Sequence, residues 1–119
     1  YEVIYLIAKP KFELAPKANS FGDVWEFTQE MKNPHPAAFP VDLIERIIGS
    51  TTAQVILDPF MGSGTTAVAA KNLKRKYIGI EISPEYCELA ENRIKNGVII
   101  KDNEEELPIF SQSSYVINI

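Results

Sequence analysis

The sequence predicts an α/β domain with a mostly parallel sheet, and three observations carry that expectation. Short apolar runs alternate with segments of helical period along the 119 residues, the order that builds parallel strands joined by helices. Val55-Ile56-Leu57-Asp58 leads through Pro59-Phe60-Met61 into Gly62-Ser63-Gly64-Thr65-Thr66, which reads as a strand, a glycine turn and a helix start. A second strand, Tyr77-Ile78-Gly79-Ile80, ends on Glu81, 23 residues beyond Asp58.

The elements follow in chain order. Val3 to Ala8 is a continuous apolar run, suited to a buried strand that stops at Lys9-Pro10. Lys11 to Gly22, with Pro16, Asn19 and Ser20, reads as a surface loop, and Asp23 to Phe27 as a second short strand. Lys9, Lys11 and Lys17 make that loop locally basic, which fits a solvated loop or a phosphate contact. Met31 to Pro40 carries Pro34, Pro36 and Pro40 around His35, so neither a regular helix nor a central strand fits. Val41 to Ile48 places Leu43, Ile44, Ile47 and Ile48 on one helical face, with Pro40 at its start and Gly49 at its end.

Thr65 to Leu73 is expected as a second helix, whose Ala67, Ala69 and Ala70 permit close approach. Lys71, Lys74, Arg75 and Lys76 gather near its carboxyl end, where positive charge complements the helix dipole; a nucleic-acid patch is the other reading. Ser83-Pro84 caps a third helix, whose face runs Tyr86, Leu89, Ala90, Arg93 and Ile94 until Gly97. Val98-Ile99-Ile100 is expected as a third parallel strand. The tail from Lys101 is acidic through Glu104, Glu105 and Glu106, with a terminal strand at Tyr115 to Ile119. Four stretches result: strands and loop in 1–32, an irregular segment and helix in 33–54, a βαβαβ unit in 55–100 and a tail in 101–119.

Composition narrows the classes. Twelve basic against sixteen acidic residues give a net charge of −4, which disfavours a generally cationic nucleic-acid module without excluding DNA as a substrate. Cys87 is the single cysteine, so neither a disulfide framework nor a zinc site is supported. No apolar run approaches the roughly 20 residues that cross a bilayer, and a soluble, cytoplasmic protein with no membrane partner is the expectation. A chain that opens inside the apolar run at Tyr1 is expected to be part of a longer one.

Gly62-Ser63-Gly64 removes side chains where the backbone must bend and let a ligand approach, and Glu81 stands near the roughly 20-residue offset of an acid that grips ribose hydroxyls. An adenosine-bearing cofactor is therefore expected, although a solvated strand-end acid is the plainer reading of Glu81. Gly62 to Ala67 formally satisfies the dinucleotide pattern, so a nicotinamide enzyme stays open. Against it, four residues separate the apolar strand from the first glycine, and Asp58 brings a carboxylate where a pyrophosphate would sit. The ammonium of a methionine-derived cofactor would instead be attracted there. A phosphate loop fails because no lysine follows the second glycine.

Asp58 to Thr66, followed by Gly79-Ile80-Glu81-Ile82-Ser83-Pro84-Glu85-Tyr86 and preceded by Asn33-Pro34-His35-Pro36-Ala37-Ala38-Phe39-Pro40, resembles the cofactor-binding portion of beta-class amino-methylating DNA methyltransferases. The resemblance covers about residues 1 to 100. It implies a Rossmann-like, circularly permuted methyltransferase fold, incomplete here, with helices on both sheet faces. The Val55, Tyr77 and Val98 strands would be neighbours, with the Val3 and Val24 strands elsewhere in the sheet. It also implies a pocket for S-adenosyl-L-methionine. Asp58 and Phe60 to Gly64 would flank the methionine portion, Glu81 would accept from the ribose hydroxyls, and Ile82 would pack on adenine. Thr65 and Thr66 would add polar contacts, while His35, Phe39 and Pro40 would line the amino-acid end. His35 as an ordinary loop residue and Phe60 as core remain open alternatives.

The resemblance implies methyl transfer to an exocyclic amine of a DNA base, with adenine N6 favoured over cytosine N4. DNA, a catalytic segment of the same protein and a second copy in a homodimer are the implied partners. The family's Asp or Asn followed by Pro-Pro and an aromatic is absent, since none of the eight prolines is adjacent to another, so no catalytic residue is assigned. A noncatalytic cofactor-binding subunit and a nicotinamide oxidoreductase are the competing functions.

Overall fold

The structure, a computed structural model, describes residues 2–28, 39–96 and 115–118. Helix α1 spans Val41–Gly49, strand β1 Val55–Asp58, helix α2 Thr65–Asn72, strand β2 Lys76–Glu81, helix α3 Pro84–Asn96 and strand β3 Tyr115–Asn118. The sheet order is β1-β2-β3 and both pairings are parallel, with Asp58 opposite Gly79 and Glu81 opposite Asn118. The expected terminal strand thus forms and lies directly beside β2. The Val98 to Ile100 run falls outside the described residues.

Local chemistry sets the element ends. Pro40 occupies the N-cap of α1, one position before the helix, and its carbonyl accepts from Leu43 and Ile44. Ser83 caps α3 through a 3.4 Å hydrogen bond accepted from the Tyr86 N–H. α2 ends in a left-handed turn at Lys74, where the Lys74 N–H donates to Lys71 O and the Arg75 N–H to Ala70 O, satisfying two of the last helical carbonyls. Lys71, from the expected basic cluster, reaches across and donates to the Ile94 carbonyl at 2.9 Å, putting its charge on the last turn of α3.

The core lies between the helices and one sheet face. Ile48, Ala69 and Ala70 pack with Ile44, Ile56 and Leu73, while Met61, Ala67, Val68, Ala90 and Ile94 form a second cluster; Val41 and Tyr77 touch both. The expected alanine face of α2 is therefore its contact face, with Ala69 and Ala70 fully buried. The expectation of helices on both faces is corrected for the described residues. All three helices cover the Ile56 and Tyr77 side, and alternation turns Val55 and Leu57 away, leaving them 51% and 62% exposed.

The expected strands at Val3–Ala8 and Asp23–Phe27 are not strands in this structure. Residues 2–9 are irregular and Ile7 is 91% exposed. An apolar run supplies a strand's side chains, but its backbone groups need a neighbouring ladder, and the described sheet offers these segments none. Residues 21–27 instead gather aromatic rings about α1: the Arg46 guanidinium lies 4.8 Å from the Phe21 ring centre, 5.3 Å from Trp25 and 4.7 Å from Phe27. Trp25 meets Phe27 edge-on, and its indole N–H donates to Gly22 O. Each such cation–ring contact stabilises by about 0.5–1 kcal/mol at an exposed site.

Two outcomes follow from this packing. Gly64 has φ +84° and a Cβ there would stand 2.8 Å from Ala90 Cβ. Gly64→Ala should lower unfolding free energy by about 1–3 kcal/mol, measured by urea titration. Arg46→Ala should shift the emission of Trp25, the single tryptophan, to the red and speed proteolysis near residues 21–27; unchanged emission would show that Arg46 does not organise the cluster.

Candidate cofactor site

The site forms at the carboxyl ends of β1 and β2. After Asp58 the chain turns sharply: Asp58 Oδ1 accepts from the Phe60 N–H at 3.0 Å, an Asx turn that needs the short carboxylate at that position. The loop then folds back on β2, where the Met61 N–H donates to Ile80 O and the Met61 side chain covers Gly79. A Cβ at Gly79 would run into the Met61 thioether, so the glycine in β2 is where the loop sits down. Gly62 and Gly64 take φ of +55° and +84°, and the Gly64 N–H closes a turn onto Met61 O at 3.0 Å. These positive φ values explain why glycine stands at both positions.

Glu81 joins the parts. Its Oε2 accepts from the Gly62 N–H at 2.7 Å and its Oε1 from the Ser83 N–H at 2.9 Å. The carboxylate thus ties the glycine turn to the start of α3, and each oxygen retains a lone pair for a further donor. Glu81 and Asp58 are both half-buried, on adjacent strand ends. Glu81 is the acid expected at a ribose, and in the structure its orientation is held by two backbone amides.

The other expected site residues divide by exposure. Phe60 is 89% exposed, so the core alternative for it is set aside. Ile82 is 75% exposed and Phe39 52%, so with Phe60 they make three apolar side chains that the interior does not use. Pro40 and Thr66 are half-buried. Thr65 is buried and its hydroxyl accepts from Arg93. His35 lies outside the described residues.

Sequence reasoning took Met61 and Ser63 only as backbone of the turn, with no role for their side chains, and read Arg93 only as a position on a helix face. Arg93 Nη1 donates to Ser63 O and Ser63 Oγ, both at 2.9 Å, and to Thr65 Oγ1 at 3.2 Å. A cation on the otherwise apolar Tyr86–Ile94 face of α3 was the available signal. Beneath the site, Cys87 is 7% exposed and its thiol faces the Glu81 carbonyl at 3.6 Å. Burial, then the charges of Glu81 and Glu91, push that thiol up from its ordinary value. Among the described residues no cluster of three or more potential metal ligands occurs, and no helix is long and apolar enough to cross a membrane.

Comparison with known proteins gives the class of the fold. TTHA0409 of Thermus thermophilus, in complex with S-adenosyl-L-methionine, is 33% identical and superposes with a TM-score of 0.57, covering 87% of this chain and 38% of its own. The M1.HpyAVI complex with the same cofactor is 45% identical at a TM-score of 0.52, covering 56% of this chain and 34% of its own. The fold is thus Rossmann-like, of the methyltransferase kind. The chain belongs to the DNA methylase family (N6_N4_Mtase), which matches residues 3–92. It is 46% identical over 82 residues to the type II methyltransferase M.BglII of Bacillus subtilis, spanning 63% of this chain and 23% of that protein. It is also 51% identical over 73 residues to the orphan methyltransferase M.BamHII of Bacillus amyloliquefaciens, spanning 60% and 28%. The matched region is about a quarter of the length of these curated relatives.

Because the folded Cys87 thiol titrates above the unfolded one, it stays protonated in the fold at pH values where the unfolded thiol ionises. Its contribution to stability is intact below the ordinary thiol value and is lost as pH rises from there through the raised folded value. Iodoacetamide at pH 8 should therefore label Cys87 slowly in the native protein and rapidly in denaturant, read by intact mass; equal rates would refute the buried, neutral thiol.

Proposed function

We propose that this chain is the cofactor-binding portion of a DNA methyltransferase that transfers a methyl group from S-adenosyl-L-methionine to an exocyclic amine of a base. The observation that carries the reading is the Glu81 carboxylate, already oriented by the Gly62 and Ser83 amides and open toward two more donors. A ribose diol matches that acceptor pair. The backbone-built turn, the two strand-end carboxylates and the exposed Phe60 and Ile82 together suit a ligand with a cationic end, a diol and a flat aromatic base.

In this reading Asp58 attracts the ammonium end, and the bare backbone at Gly62 gives the ligand close approach, while Gly64 lets the turn pack on Ala90. Glu81 orients the ribose, and Ile82 and Phe60 cover apolar surface that would otherwise stay wet. Thr66, Phe39, Pro40 and His35 are assigned to the rim at the amino-acid end. Thr65 serves through its hold on Arg93 rather than through the ligand. When bound, S-adenosyl-L-methionine supplies a methyl group activated by its sulfonium. This chain's residues bind and orient it, which favours transfer by lowering the entropy cost of the encounter.

We assign the groups that hold the target amine to a catalytic segment of the same, longer protein, with the circularly permuted order of the beta class. Such a segment would cover the bare sheet face at Val55 and Leu57. DNA is the substrate in this reading, its target base leaving the stack to reach the pocket at a cost of a few kcal/mol. Adenine N6 is the preferred acceptor by resemblance. A homodimer and a cytoplasmic location belong to the same proposal.

Titration of S-adenosyl-L-methionine into the full-length protein should show saturable binding. Phe60→Ala and Ile82→Ala should each weaken it roughly tenfold while leaving unfolding free energy within about 0.5 kcal/mol, since exposed side chains contribute little to the core. Selective binding of a nicotinamide dinucleotide would instead favour the oxidoreductase. Nucleoside mass spectrometry after methyl transfer to DNA should show N6-methyladenine; N4-methylcytosine would move the acceptor, and no methylated base despite cofactor binding would favour the noncatalytic subunit.

A further inference from the structure

Helix α3 meets the glycine turn at two points one helical turn apart. Ala90, with its small side chain, admits Gly64, where any Cβ would be blocked. Arg93 then donates from one nitrogen to Ser63 O, Ser63 Oγ and Thr65 Oγ1, the residues on either side of Gly64. Ser63 and Thr65 are only 3% and 7% exposed, so water does not readily replace a donor lost there. On the far side of the turn, Glu81 holds the Gly62 N–H.

Resting on the cofactor reading above, we propose that Arg93 is a positioning residue that holds the Gly62–Gly64 turn in the form that receives S-adenosyl-L-methionine. Glu81 fixes one flank of the turn from β2 and Arg93 the other from α3. The two anchors hold the turn from different elements, and Glu81 keeps acceptor capacity for the ligand. Without the guanidinium, three buried acceptors would seek other donors, and the turn would spend part of its time in forms that do not bind. Apparent cofactor affinity falls by the fraction of competent turn. Turnover at saturating cofactor does not, because Arg93 touches no reacting group.

Arg93→Met keeps the apolar stem and removes the donors. In the full-length protein it should raise both Kd and KM for S-adenosyl-L-methionine roughly tenfold, with kcat within about twofold, and speed amide exchange at Gly62 and Gly64. Arg93→Lys should fall between the two. A Kd within about twofold of wild type, a loss of kcat at unchanged KM, or unaltered exchange at the turn would each overturn the proposal. Should Arg93→Met fail to fold, the Ser63→Ala/Thr65→Val pair, which removes two acceptors and keeps Arg93, carries the same expectation. A wild-type protein that does not bind the cofactor overturns the cofactor reading, whereas faster exchange in Arg93→Met still supports the hold on the turn.

Discussion

The carboxylate of Glu81 accepts one backbone N–H on each oxygen, and the arrangement of the site depends on that pair of hydrogen bonds. Gly62 belongs to the turn after β1, Ser83 caps α3, and Glu81 itself ends β2, so a single side chain relates three elements. A charged acceptor between two amides is stronger than a neutral one, and half-burial shields it from competing water. The β2 register carries this relation into the sheet, since Asp58 pairs with Gly79 and the loop returns over Gly79 through Met61. Strand pairing, turn and helix start are thereby one assembly.

Close approach is the second constraint. Gly64 fits against Ala90 and Gly79 beneath Met61, and the wholly buried Ala69 and Ala70 bring α2 onto the sheet. Small side chains lose hydrophobic area per residue but allow backbones to come near, and here that places helix starts and strand ends around one turn. The ring cluster about Arg46 does comparable work for residues 21–27, fastening an irregular segment to α1 without a strand.

A division of labour emerges between buried and exposed groups. Ser63, Thr65 and Met61 lie inside and shape the turn, while Phe60 and Ile82 stand out from it with no interior partner. Apolar side chains held in water beside two carboxylates cost hydrophobic free energy unless a ligand covers them.

The sequence by itself determined the helices, β1 and β2, the glycine turn and the acid at Glu81, because each depends on local period, caps or positive φ within a short stretch. Val41–Gly49, Thr65–Asn72 and Pro84–Asn96 lie within a residue or so of expectation for that reason. Only the tertiary structure decided what Val3–Ala8 and Asp23–Phe27 do, since a strand requires a neighbouring ladder and a run of apolar residues cannot supply its own. It also decided that Phe60 points to solvent and that Arg93, read as one more position on a helix face, grips the turn 30 residues away. Contacts between residues distant in sequence are set by how elements dock, and the local pattern marks Arg93 only as a cation on an apolar face, not the turn it reaches.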